Sequence, residues 1–220
     1  MMTTTNNAPT RLHGCDTVVK LWRQQCLERG AQIAHREKDL GIWQSYSWQD
    51  YYEKARAIGV ALLSLGLERG QPVSILSEDN KEWLYCDLGI AGAGGISNGV
   101  YTTDSAEQLA YLVNDSGSAF LFVENDEQLD KYLTVRDQVP TLKKVIVFDR
   151  KGLRDFSDPM VMFLDELYAL GEGIADAEAR FSASIAESQP DDIRMLIYTS
   201  GTTGAPKGAM ISHRNVLFQL

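Results

Sequence analysis

Apolar residues recur along this chain at two periods, and the two alternate. Tyr51, Ala55, Ile58, Leu62 and Leu65 stand at spacings of four and three, the repeat that lines one face of an α-helix. Ser47-Trp48-Gln49-Asp50 precedes them in the form of a capping box, in which Ser47 and Asp50 satisfy each other's free backbone N–H groups. Gly66 follows as a stop. A first helix is predicted from Asp16, with Val18, Leu21, Trp22 and Cys26 at helical spacing, then two short strands at 33–36 and 42–46. Beyond them, strand-like runs at 73–76, 96–100, 119–123 and 145–148 exchange with helical patterns at 81–93 and 127–139. Asp104 with Glu107 is expected to cap one more helix, whose Leu109, Leu112 and Val113 form an apolar face. A polar surface connection at 149–159 leads to helical patterns around 163–170 and 175–186. Strands alternating with helices through short loops predict an α/β fold, a mainly parallel sheet flanked by helices. Residues 1–12 are polar and patternless, and read as a disordered tail.

Charge narrows the partners. Lys plus Arg number 21 against 30 Asp plus Glu, a formal charge of -9 with no basic stripe, which excludes a nucleic-acid surface and disfavours electrostatic attachment to anionic lipid. An anionic ligand must therefore be met locally, by backbone N–H groups, one or two cations and a metal. Cys15, Cys26 and Cys86 are an odd, scattered set, unsuited to a disulfide framework or a zinc site, and read as reduced thiols of a cytoplasmic protein. The first ten residues lack the basic start and apolar core of a signal peptide. The most apolar stretch, 88–96, is too short to cross a bilayer.

The chemistry concentrates in one place. An apolar run at 193–198, expected to be a buried strand, leads into Thr199-Ser200-Gly201-Thr202-Thr203-Gly204-Ala205-Pro206-Lys207-Gly208. Three glycines allow backbone N–H groups to turn towards a ligand. Four hydroxyls add donors, Lys207 adds a compact mobile charge, and no acid stands among them. Such a loop suits a polyphosphate. It is not a Walker loop, because only Thr202 and Thr203 separate Gly201 from Gly204 and Gly208 follows the lysine. Gly92-Ala93-Gly94-Gly95-Ile96-Ser97 is similar to a dinucleotide fingerprint, but it follows a helix and ends in serine. Tight helix-to-strand packing explains those glycines better.

The run from Tyr198 through Lys207-Gly208-Ala209-Met210-Ile211-Ser212-His213-Arg214-Asn215 resembles the phosphate-loop signature of the acyl-adenylate-forming, or AMP-binding, enzymes. Ser77-Glu78-Asp79-Asn80-Lys81-Glu82-Trp83, Ser105-Ala106-Glu107-Gln108-Leu109-Ala110-Tyr111 and Asn114-Asp115-Ser116-Gly117 resemble the long-chain fatty acid–CoA ligase branch. Near Ser97-Asn98-Gly99-Val100-Tyr101-Thr102-Thr103 the chain departs from a proline-containing pattern common in the family. The resemblance implies ATP-dependent activation of a fatty acid to an acyl-adenylate, followed by thioester formation with coenzyme A. It implies that Thr199, Ser200, Gly201, Thr202, Thr203 and Gly204 grip the β- and γ-phosphates, with Lys207 balancing pyrophosphate and Mg²⁺ assisting. It assigns no catalytic base and no metal ligand within this chain. His213, a lone histidine after a strand, is expected at a helix start or on the surface. Residues 13–220 would be the N-terminal portion of the AMP-binding domain. The family's adenine, ribose and hinge segments, and its small domain with a catalytic lysine, would lie past Leu220. The 220 residues alone are accordingly expected not to make acyl-CoA. Two alternatives stay open, an adenylate-former acting on another carboxylic acid and a non-catalytic fragment. Peripheral membrane contact by a full-length enzyme also stays open.

Overall fold

The computed structural model describes residues 11–199 and 204–220. The expected tail, apart from Arg11 and Leu12, and the loop residues Ser200, Gly201, Thr202 and Thr203 lie outside them. The chain begins with helix α1 (Val18–Arg29), a hairpin of β1 (Ile33–Asp39) and β2 (Ile42–Ser47), and helix α2 (Trp48–Ser64). The capping box at Ser47 and Asp50 forms as expected, with both reciprocal bonds present. There follow β3 (Pro72–Leu76), α3 (Lys81–Gly92), β4 (Ile96–Val100), α4 (Ala106–Ser116), β5 (Phe120–Val123), α5 (Asp126–Val135) and β6 (Lys144–Val147). The remainder is β7 (Val161–Phe163), α6 (Leu164–Glu172), α7 (Ala177–Glu187), β8 (Ile193–Thr199), β9 (Lys207–Ser212) and α8 (His213–Gln219).

Among the described residues seven strands form one sheet in the order β7-β6-β5-β3-β4-β8-β9, and β1 pairs only with β2. Every neighbouring pair in the large sheet is parallel except β8 with β9. The step from β3 to β4 runs one way along the sheet and the step from β4 to β5 runs back. Right-handed crossovers then place α3 and α4 on opposite faces. Strand alternation feeds both faces: Val73, Ile75, Phe120 and Phe122 pack beneath α1, α2, α3 and α7, with Ile58, Leu62 and Phe181. Leu76, Leu121 and Val123 turn the other way, onto Leu109, Val113 and Leu129 of α4 and α5. Each such side chain contributes ~1.5–3 kcal/mol on burial.

The four strands expected at the centre are present. The glycines at 92–95 allow close packing, but in part against another helix rather than a strand: Gly92 faces Phe181 of α7, while Gly95 lies against Leu67 and the Gln71 carbonyl just before β3. A Cβ on Gly92 would stand 2.3 Å from the Phe181 ring, and Gly94 turns the chain at φ +81. No helix among the described residues is long and apolar enough to cross a membrane.

Three expectations need correction. The cap of α4 is Ser105 with Gln108, one residue later than Asp104 with Glu107: Gln108 N donates to Ser105 Oγ (3.3 Å) and Ser105 N donates to Gln108 Oε1 (2.8 Å). The turn leaving β4 already uses the Asp104 N–H, which donates to the Tyr101 carbonyl, so the free helical N–H groups begin afterwards. Strand β8 is half-buried, with Arg194 its one buried residue and Ile197 44% exposed, because it lies next to the sheet edge. The chain after the loop is itself a strand, β9, so Lys207 sits on a hairpin arm.

Candidate functional site

The reversal of strand order puts the sheet's topological switch point between β3 and β5, and open α/β sheets bind ligands beyond the carboxyl ends of their strands. A crevice of about 480 Å³ opens beyond the carboxyl ends of β3, β4 and β8, lined by Ser77, Glu78 and Trp83 after β3, Gly99 to Thr103 at the end of β4, and Met195 to Tyr198 of β8. Its floor is largely apolar and its rim carries hydroxyls. The rim loops are tied together: the Thr102 hydroxyl donates to the Glu78 carboxylate, and Lys131 Nζ donates to the Thr102 carbonyl. Glu78 N and Ser77 Oγ both donate to Glu124 Oε2, at 2.7 and 3.2 Å. The crevice is therefore bounded by loops that are already hydrogen-bonded.

Strand β8 runs into the candidate phosphate loop beside this crevice. Thr199 is its last residue, is exposed, and stands in register with Lys207, the exposed first residue of β9. Directly opposite residues of an antiparallel pair place their side chains on one face, about 5 Å apart. The structure thus brings Thr199 and Lys207 together. Gly204 turns at φ +103, with no described residue within 4 Å of where a Cβ would stand. Helix α4 holds both arms: Tyr111 Oη donates to the Pro206 carbonyl (2.8 Å) and Tyr198 Oη donates to Asp115 Oδ2 (2.7 Å). Burial first, and donation to Asp115 second, push the Tyr198 hydroxyl well above its ordinary range, so it remains a donor. Gly208 permits this contact, since a Cβ there would meet the Tyr198 ring at 3.0 Å.

An exposed threonine, a glycine turn and a lysine, without a carboxylate among residues 199–208, fit a polyphosphate. Among the described residues no group of three acidic, histidine or cysteine side chains forms a metal site, so no protein ligand for Mg²⁺ is named.

His213 starts α8, as expected, but it is buried rather than on the surface. Its Nδ1 accepts from Val18 N (3.3 Å), and burial, with the Arg194 charge nearby, pulls its pKa down to about 4. It stands beside the first residue of β8, at the opposite end of that strand from Thr199. One buried cluster escaped the reading of the sequence. Arg194 of β8 donates to Asp87 of α3 and to Ser97 of β4, which itself lines the crevice. An arginine inside the apolar run at 193–198 and an aspartate inside the apolar helix at 81–93 were the available signals.

Known proteins bear on this arrangement. The chain is 36% identical over 200 residues to the long-chain-fatty-acid–CoA ligase ACSBG2 of Xenopus laevis, covering 91% of this chain and 26% of that protein. It is 36% identical over 184 residues to the long-chain-fatty-acid–CoA ligase ACSBG1 of Rattus norvegicus, covering 84% and 25%. The chain spans about a quarter of the length of these relatives. Among solved structures, an anthranilate CoA ligase in complex with anthranoyl-AMP superimposes with a TM-score of 0.75 at 24% identity, over 90% of this chain and 35% of that one. A fatty acyl-adenylate ligase from L. pneumophila, in complex with acyl adenylate and pyrophosphate, gives 0.66 at 21% identity, over 93% and 32%. These likenesses carry the fold. The profile of the AMP-binding enzyme family matches residues 22–220, and the chain belongs to that family.

Proposed function

We propose that this chain is the N-terminal portion, residues 13–220, of an ATP-dependent long-chain fatty acid–CoA ligase of the cytoplasm. In this reading the protein joins a fatty acid to AMP with release of pyrophosphate, then passes the acyl group to coenzyme A. The observation that carries it is the position of Tyr198, Thr199 and Lys207, the described ends of the β8–β9 hairpin, beside the crevice beyond the carboxyl ends of β3, β4 and β8, in a chain whose relatives are named long-chain-fatty-acid–CoA ligases.

Thr199, Ser200, Gly201, Thr202, Thr203 and Gly204 supply donors to the β- and γ-phosphates of ATP. Lys207, across the hairpin from Thr199, neutralises charge on the departing pyrophosphate, and Mg²⁺ enters with the nucleotide. Displacement at the α-phosphorus needs alignment and charge neutralisation more than a protein nucleophile, and no base is assigned to the chain. The apolar floor beside Trp83, Val100 and Met195 offers nonpolar surface at the same end of the sheet.

The test is ATP–pyrophosphate exchange by the full-length protein with palmitate, acetate or a hydroxycinnamate as acid. Palmitate should support the fastest exchange. Equal or faster exchange with the hydroxycinnamate assigns the protein to an adenylate-former for another acid.

A further inference from the structure

Strand β8 carries the phosphate hairpin, yet its hold on the rest of the sheet is short. β3 and β4 are in register over five positions, from Pro72↔Ile96 to Leu76↔Val100. β4 and β8 are in register at two, Ser97↔Met195 and Asn98↔Leu196. Beyond Leu196 the strands part, and the crevice opens in that gap, with Val100 on one wall and Ile197 and Tyr198 on the other.

Immediately before the two paired positions stands Arg194, 4% exposed, opposite Asp87, 7% exposed. Arg194 Nη1 donates to Asp87 Oδ1 (2.7 Å) and to Ser97 Oγ (3.0 Å), Nη2 donates to Asp87 Oδ2, and Ser97 Oγ donates to Asp87 Oδ1 (2.6 Å). One two-point, charge-assisted contact thus joins α3, β4 and β8 at the root of the gap. Apolar side chains of similar volume can replace a buried ion pair with little loss of stability. They cannot supply the planar, bidentate registration of a guanidinium on a carboxylate.

We propose that Asp87, Arg194 and Ser97 form a positioning cluster that sets how far β8 splays from β4. It thereby sets the width of the crevice and the placement of Thr199 and, across the hairpin, Lys207. The proposal rests on the reading of the 199–207 loop as the ATP-phosphate site. None of the three side chains touches the polyphosphate; they act through the strand.

The experiment compares full-length wild type with an Asp87→Leu/Arg194→Met double variant and an Arg194→Lys variant. Hydrogen–deuterium exchange is followed with and without MgATP, beside thermal melts and steady-state kinetics. In wild type, MgATP should protect residues 199–208. The double variant should melt cooperatively near the wild-type midpoint. It should exchange faster in β8 and β9, with β3, β5 and β6 unchanged, and lose the MgATP protection. Its kcat/KM for ATP should fall by about tenfold to a hundredfold, as a misplacement on the order of 1 Å would cause. Arg194→Lys keeps the charge, loses the fork and should fall between. Wild-type exchange and wild-type kcat/KM for ATP in the folded double variant overturn the positioning role. Should that variant fail to fold, unchanged MgATP protection and unchanged kcat/KM in Arg194→Lys overturn it equally, and a loss of both supports it. Failure of MgATP to protect the wild-type loop overturns the ATP reading and the positioning role with it. Protection in wild type with no effect of the variants overturns the positioning role alone.

Discussion

Gly204 and Lys207 meet different demands of the loop. Gly204 holds φ +103 with no described residue within 4 Å of an added Cβ, so the cost of Gly204→Ala is backbone strain, about 1–3 kcal/mol. Lys207 is exposed at the mouth of the hairpin, so Lys207→Ala should leave the thermal midpoint unchanged. The same change should lower kcat/KM for ATP by about two to three decades, the loss seen when one preorganised donor is removed. Exchange of labelled pyrophosphate into ATP, run beside thermal melts, reads both numbers. A wild-type rate in Lys207→Ala removes the lysine from the site. Residues of this kind stand out in the sequence as candidates because glycine, hydroxyl and lysine in one short run carry their chemistry in their composition. Asp87, Ser97 and Arg194 do not. Arg194 meets Asp87 across 107 positions, and no local pattern marks a partner so remote.

At the scale of elements, period and capping chemistry carried the reading where a segment was long and its cap local. Helix α2 and the four central strands follow from such signals. The three residues of β7 are too few to show a period. Strand β9, Lys207-Gly208-Ala209-Met210-Ile211-Ser212, dilutes its alternation with small residues. The cap of α4 turned on a single N–H already committed to the turn before it, a competition that two adjacent candidates in sequence do not reveal. That difference is measurable. Ser105→Ala should cost about 1 kcal/mol of stability, whereas Asp104→Ala should stay within about 0.5 kcal/mol of wild type. Urea titrations of the two variants separate them, and a larger loss from Asp104→Ala restores the cap first expected. Because α4 also holds Tyr198 and Pro206, the helix couples the cap to the loop.

At the scale of the whole molecule, strand order is what the sequence could not supply. Which strand lies beside which is set by pairings far apart in the chain, and the switch point exists only once β4 and β5 flank β3. Burial on that scale also sets the response to pH. His213 is 3% exposed, with Arg194, Asp192, Lys20 and Arg69 as its charged neighbours. Burial first, and Arg194 next, lower its pKa from 6.5 to about 4. Burial holds His35 down as well. Between those values the unfolded chain binds a proton at position 213 that the folded chain refuses, so stability rises with pH across the window. The contribution is fully present above about pH 6.5 and is lost as pH falls towards 4, at up to ~1.4 kcal/mol per pH unit. His213→Asn removes the titration while its amide oxygen can still accept from Val18 N, the bond that His213 Nδ1 now accepts. Unfolding free energies from urea titrations of wild type and His213→Asn at pH 7, 6, 5 and 4 decide the matter. The wild type should fall more steeply between pH 6.5 and 4, and the variant should retain only the slope from His35 and the carboxylates. Parallel curves for the two proteins would mean that His213 takes up its proton without leaving the folded state, and that the junction of α1, β8 and α8 tolerates a second buried cation beside Arg194.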